Sequence, residues 1–98
     1  MNSAPPERRP IRTGIADSLI VEIADHLARL AEAGERAAID LRSLPMTAAD
    51  RDDLESFLGR GEVTAELDVA GKSHVWETRY AGVWWVRHLM ADGRVATE

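Results

Sequence analysis

The sequence contains no cysteine. Disulfides, thiolate iron–sulfur ligation, cysteine-type zinc sites and thiol catalysis are therefore excluded, and the pattern fits a reducing compartment. Aromatic residues are few: one Phe, one Tyr and three Trp, two of them adjacent at Trp84 and Trp85. No apolar run approaches the ~18 residues of a membrane span. The pair Arg8-Arg9 is followed by neither an apolar stretch nor a small-residue cleavage site. The cytoplasm is the expected location, with no membrane insertion. Positive charge is also short, with 12 basic against 17 acidic residues and a net charge of −5. Phosphate binding needs a basic footprint, so nucleic acid is not an expected partner.

What remains suits one soluble domain. The 98 residues are 45% apolar and 30% charged, ordinary values for a globular chain. Three of the four prolines fall within the first ten residues, beside Arg8 and Arg9. Residues 1–14 are expected to form a flexible tail, and 15–98 a single folded domain. Ile20, Ile23, Ala24, Leu27, Leu30 and Ala31 recur every three or four residues, which predicts an amphipathic helix over 16–33 that ends at Gly34. The alternation in Ala38-Ile39-Asp40-Leu41-Arg42 suits a brief strand or an extended link. Pro45 blocks helix continuity, and Thr47 with Asp50 forms a capping box that predicts a second helix over 48–58, burying Leu54, Phe57 and Leu58. The acidic run Asp50, Asp52, Asp53 and Glu55 suits the positive end of that helix and lacks Ca²⁺-loop spacing.

From Glu62 the period changes to two. Val63, Ala65, Leu67 and Val69 alternate with Glu62, Thr64, Glu66 and Asp68, the pattern of a half-buried strand. A second strand over 73–80 puts His74, Trp76, Thr78 and Tyr80 on one face; Trp76 and Tyr80 read as core, with their polar ends hydrogen-bonded. A third strand runs over 83–90. Asp92-Gly93 turns into the start of a fourth near Arg94. Short links make these strands neighbours. The expected fold is α+β, with two helices packed on one face of a three- to four-stranded antiparallel meander.

The third strand carries apolar residues on both sides. Val83, Trp85 and Leu89 point one way, and Trp84, Val86 and Met90 the other. Two helices can cover only one side. The other needs a further layer, another chain, or an exposed aromatic patch of the kind that marks an interaction surface.

Chemistry read residue by residue names no reaction. Ser43, Ser56 and Ser73 lack a nucleophile-elbow setting, and Leu58-Gly59-Arg60-Gly61-Glu62 is not a phosphate loop. Glu77 and Arg79 share a face and suit a cross-strand ion pair. His74 and His88 fall on neighbouring strands. With a nearby carboxylate, Glu77 or Glu62, they define the alternative reading, a small metal- or ligand-binding protein for Ni²⁺ or Zn²⁺. No His-x-x-x-His or His-x-His spacing supports that reading. No cofactor is expected, and the chain is not expected to be an enzyme.

Four segments carry a resemblance: Ile39-Asp40-Leu41-Arg42-Ser43-Leu44-Pro45, Leu58-Gly59-Arg60-Gly61-Glu62-Val63, Glu77-Thr78, and Gly82-Val83-Trp84-Trp85-Val86. In this order and spacing they resemble the C-terminal conserved region of the HupH/HyaF-type hydrogenase expression proteins, over about residues 15–95. The resemblance implies a non-catalytic accessory factor in maturation of a bacterial [NiFe] uptake hydrogenase. Its implied partner is a hydrogenase subunit, the iron–sulfur small subunit first, or another maturation protein. It supplies no catalytic residue. Trp84 and Trp85 are the expected aromatic anchors for the partner, with Arg42 and Glu62 as polar positions beside them. Family proteins are typically longer, with this region at the C-terminal end and sometimes repeated. A short chain is therefore expected to self-associate, pairing two copies as a homodimer through the Trp-bearing strand.

Overall fold

The computed structural model describes residues 11–68 and 71–98. Helix α1 spans Ile15–Ala33 and helix α2 spans Ala48–Leu58. Strands β1 (Thr64–Asp68), β2 (Lys72–Glu77), β3 (Trp84–Leu89) and β4 (Val95–Thr97) follow. They pair antiparallel in the order β1-β2-β3-β4, the expected meander, with both helices on one face. Residues 1–10 of the expected tail and Val69 of the first strand lie outside the described residues.

The local signals act as the sequence predicts. Gly34 closes α1 in the left-handed conformation, its N–H donating to the Leu30 carbonyl at 2.9 Å. The Thr47–Asp50 capping box opens α2. The start of α1 has no side-chain cap of its own. It is tied down instead by Asp50, whose carboxylate accepts from the backbone N–H of Thr13 at 2.8 Å and from its hydroxyl at 2.7 Å. Arg12 also pairs with Asp53 at 2.7 Å. Residues 11–14, which the composition assigns to the tail, thus run against α2.

Residues 38–42 do not form a strand. They are an extended link into a 3₁₀ turn at Leu41–Ser43, where the Asp40 carboxylate accepts from the Arg42 N–H. The glycine-rich exit from α2 is structural. Gly59 has φ 64° and ψ −165°, a region that is essentially glycine's own. A Cβ there would lie 2.4 Å from Arg79 Nε. Arg79 does not pair across the sheet with Glu77: its Nη2 donates to the Phe57 carbonyl at 2.6 Å, satisfying the C-terminal end of α2. Gly61 donates to the Glu77 carbonyl at 2.7 Å, and a Cβ on it would meet the Thr78 carbonyl at 2.8 Å. Gly59→Ala is expected to cost about 1–3 kcal/mol, measured by urea unfolding, because it strains the backbone and displaces Arg79 together.

The core forms where the helices meet the middle of the sheet. Trp76 and Trp85 lie opposite each other in register, with rings parallel and centroids 5.7 Å apart. Ala16 and Leu19 of α1, Leu41, and Leu54 and Leu58 of α2 pack with them. Two expectations are corrected here. Phe57 and Tyr80 are exposed rather than buried, and stack on each other at the surface with centroids 5.7 Å apart. The Trp76 indole N–H is buried without a hydrogen-bond partner among the described residues; the Arg60 guanidinium sits 4.1 Å over its ring. That cation–π contact uses the ring face.

Candidate functional site

The register decides which side of the sheet each residue occupies, because successive side chains alternate faces. Trp76 and Trp85 are buried toward the helices. Counting from them by twos places Thr64, Glu66, Asp68, Lys72, His74 and Arg87 on that same side. Ala65, Leu67, Val75, Trp84 and Val86 therefore line the opposite, outer side.

The distribution is the reverse of an ordinary two-layer sheet, where the face away from the helices is polar. Here Leu67 is 56% exposed, Trp84 48% and Val86 51%, while Val63 and Met90 are also exposed. Glu77 is the only carboxylate that the paired positions of β1–β3 put on this side, and no Lys or Arg joins it. Strand β1 shows the inversion most sharply. Its sequence alternation is that of a half-buried strand, yet all five of its residues are exposed. Its apolar side faces away from both helices. Its acidic side looks toward the helix layer, beyond the reach of α1 and α2.

The two adjacent tryptophans thus have different fates. Trp85 is core, and its indole N–H donates to Glu98 Oε2 at 2.9 Å, so it is not an available anchor. Trp84 is the exposed one. Arg42 lies in the 3₁₀ turn, next to Leu41, whose N–H donates to the Glu98 carbonyl just past β4. Glu62 is exposed at the start of β1. The strand order puts these two residues at opposite edges of the sheet, so they do not form one polar cluster around Trp84.

The register also parts the two histidines. His88 pairs with Ser73, and His74 pairs with Arg87, so the imidazoles point to opposite faces. Among the described residues, no group of three His, Asp or Glu side chains is placed to hold a metal ion. The alternative built on His74, His88 and a carboxylate loses its geometry. His88 Nδ1 instead shares a hydrogen bond with Ser73 Oγ. Among the described residues no carboxylate bonds that ring, so the pair lacks the third group that orients a catalytic base.

One strongly electrostatic cluster lies behind Trp85. Glu98 has no exposed side-chain surface. Its Oε2 accepts from Arg87 Nε at 2.5 Å, and its Oε1 lies 2.8 Å from Arg51 Nε, too poorly aligned for a hydrogen bond. Arg87 also donates to Glu55 at 2.9 Å. Burial opposes the Arg87 charge, but the bonds to Glu98 and Glu55 outweigh it and raise its pKa. The cluster is internally paired, which is the signature of a structural network rather than a substrate site. Sequence reasoning missed it because no local pattern links residue 98 to residues 51 and 87.

No helix among the described residues is long and apolar enough to cross a membrane. The comparisons with known proteins agree with the segments singled out in the sequence. Residues 15–98 match the family described as HupH hydrogenase expression protein, C-terminal conserved region. Among solved structures, the chain is similar to hydrogenase expression protein HupH from Thiobacillus denitrificans ATCC 25259, with 47% sequence identity and a TM-score of 0.82. That similarity covers 89% of this chain and 72% of the other. A search of curated proteins finds no match. The match over nearly all the folded residues, together with the closely superimposable structure, shows that this chain belongs to the HupH hydrogenase expression protein family.

Proposed function

We propose that this chain is a non-catalytic accessory factor in the maturation of a bacterial [NiFe] uptake hydrogenase, acting in the cytoplasm. It docks a hydrogenase subunit, the iron–sulfur small subunit first, or another maturation protein, through the outer face of its sheet. Family membership supports the hydrogenase-related role. The observation that carries the docking mode is the outer face of the sheet: Leu67, Trp84 and Val86 stand exposed on it, with Glu77 as the one carboxylate at its paired positions, and no element among the described residues covers them. Patches of this kind serve as interfaces, and Trp at their centre is a common energetic anchor. A stable interface needs ~800 Å² from each partner.

The test is calorimetry of the purified chain against the purified hydrogenase small subunit, large subunit and co-expressed maturation proteins. Trp84→Ala is expected to weaken binding by roughly 30-fold or more, as a central anchor does. Because Trp84 lies outside the core, its melting temperature is expected to stay within a few degrees of the parent's. Leu67→Lys, on the same face, is expected to act in the same direction. Binding to one of these proteins that survives both substitutions would remove the outer face from the interface. Binding to none of them would remove the accessory role itself. Light scattering addresses self-association: a dimer that Trp84→Ala converts to monomer would assign the same face to a second copy.

A further inference from the structure

The helix side of the sheet holds a second feature, and it does not depend on the outer face. A cleft of about 480 Å³ lies between α2 and the strands β2, β3 and β4. Arg51, Asp52 and Glu55 of α2, Arg60 just after it, and Trp76 and Arg87 of the sheet are among its walls.

Several polar groups here are spent on one another. Arg87 donates to Glu98 and Glu55, and Arg51 faces Glu98. Three groups are left over. The Trp76 side chain lines the cleft and is 1% exposed, and its indole N–H meets no acceptor among the described residues. A buried donor in that state carries the full desolvation cost of the group, and most such donors in native proteins find an acceptor. Arg60 lies over the same ring, its guanidinium carbon 4.1 Å from the centroid. It is held there loosely: its side chain is 57% exposed, and Glu55 is 3.7 Å away, beyond hydrogen-bond reach. His74, on the same side of β2 and also lining the cleft, is 4.0 Å from Glu66, again beyond that reach. The neighbouring carboxylates serve other donors: Glu55 is engaged by Arg87, and Glu98 by Arg87 and the Trp85 indole.

We propose that this cleft binds a carboxylate, carried by a small organic acid or by an acidic side chain of a peptide, which accepts from the Trp76 indole N–H and pairs with Arg60. The chemistry of the walls selects this ligand. Unspent donors call for a group that only accepts, and an ionised carboxylate is such a group. A guanidinium meets a carboxylate with two parallel bonds, stronger than the loose contacts Arg60 makes now. Arg60 also lies over the indole, so drawing it into that pair opens the ring to the same ligand. Charge limits the ligand to one negative unit. Arg51, Arg60 and Arg87 are already balanced by Asp52, Glu55 and Glu98, so a phosphate dianion is disfavoured. Asp52 is exposed on the same wall and opposes an incoming anion. This inference goes beyond the docking reading above and does not rest on it.

The experiment titrates sodium acetate, a blocked Gly-Glu-Gly tripeptide, its Gly-Gln-Gly counterpart and inorganic phosphate into the ¹⁵N-labelled full chain at constant ionic strength. The expected result is a saturable shift of the Trp76 indole N–H resonance with acetate and with the Glu peptide, while the exposed Trp84 indole, the internal control, stays in place. Equal affinities for the two assign the site to small organic acids; a Glu peptide tighter by at least about tenfold assigns it to an acidic peptide segment. Arg60→Gln is expected to weaken both ligands by about tenfold or more, and Asp52→Asn to tighten them by about threefold. Both residues are exposed, so the fold is expected to hold, and the two variants read the site independently. Leu67→Lys, which disables the outer face, is expected to leave carboxylate affinity within about twofold, so failure here and failure of the docking proposal are separable. Phosphate or the Gln peptide moving the resonance as strongly as acetate would reveal an adventitious ion or a non-specific contact only, and would overturn the proposal. Affinity unchanged in both site variants would overturn it too. So would a Trp76 resonance that the carboxylates leave in place, the sign of an acceptor already seated in the free chain, be it a lodged water or residues 1–10.

Discussion

Glu98→Ala is expected to lower the unfolding free energy by about 3 kcal/mol, the lower end of the 3–5 kcal/mol typical for breaking a buried ion pair. The carboxylate is wholly buried between Arg51 and Arg87 and also accepts from the Trp85 indole. Its removal leaves two guanidinium groups and an indole N–H facing an empty space inside the protein. The lower end applies because the side chains of Arg51 and Arg87 remain 26% and 22% exposed, so water recovers part of their solvation. Urea unfolding of parent and variant is the measurement. A double substitution, Glu98→Leu with Arg87→Met, is expected to cost less than Glu98→Ala alone, because it leaves only the more exposed Arg51 without its partner and fills the volume. A cost for Glu98→Ala below about 1 kcal/mol would mean that the network behaves like an exposed pair.

That network also shows where reading the sequence stops. Periodicity and caps are local, and they placed both helices: α2 begins and ends at the predicted residues, and α1 differs by one residue at its start. The change of period at Glu62 and the turn residues pointed to a three- to four-stranded meander, and the sheet has four strands. Alternation also grouped the residues of β1 and β3 by face correctly, since faces follow from the pleat alone. It does not say which face is covered. The alternation of β1 reads as a half-buried strand, but the helices pack over Trp76 and Trp85 and do not reach its apolar side. Phe57 failed for a related reason. Leu54 and Leu58 already fill the buried stripe of α2, so Phe57 turns out to Tyr80.

The candidate site was half legible. A strand with adjacent Trp residues puts them on opposite faces, so a single helix layer covers only one, and the sequence left open whether a further layer, another chain or solvent meets the other. Which of the two is buried depends on the register with Trp76, and that is set by the hairpin between β2 and β3. The positions of Arg42 and Glu62 relative to Trp84 depend on strand order and on where the link after α1 runs. Neither leaves a local trace.

Asp50 joins local and distant signals, and its loss is expected to lower the melting temperature by roughly 10 °C or more in a domain of this size. Its carboxylate accepts from the Thr47 N–H at 3.0 Å, closing the capping box, and from the Thr13 N–H and hydroxyl. Asp50→Ala therefore removes the reciprocal half of the α2 capping box and frees the start of α1 in one step, leaving the Thr13 and Thr47 N–H groups without their acceptor. Burial alone would raise the carboxyl's pKa. The bonds from the Thr47 backbone, from the Thr13 side chain and backbone, and from the Thr47 side chain outweigh burial and hold it down at about 2, against 3.8 unperturbed. A carboxylate with a depressed folded-state pKa stabilises the fold above its unfolded pKa, and that contribution fades as pH falls toward the folded value. The stabilising effect of Asp50 is thus fully present above about pH 4 and lost progressively on the way down to about pH 2. Asp50→Asn lacks the titration. The gap in melting temperature between parent and Asp50→Asn, followed by circular dichroism, is expected to be constant from neutral pH to about pH 4 and to narrow below it. A gap that stays unchanged down to pH 2 would mean that Asp50 acts through shape and neutral hydrogen bonding, and that its charge does not hold α1 to α2.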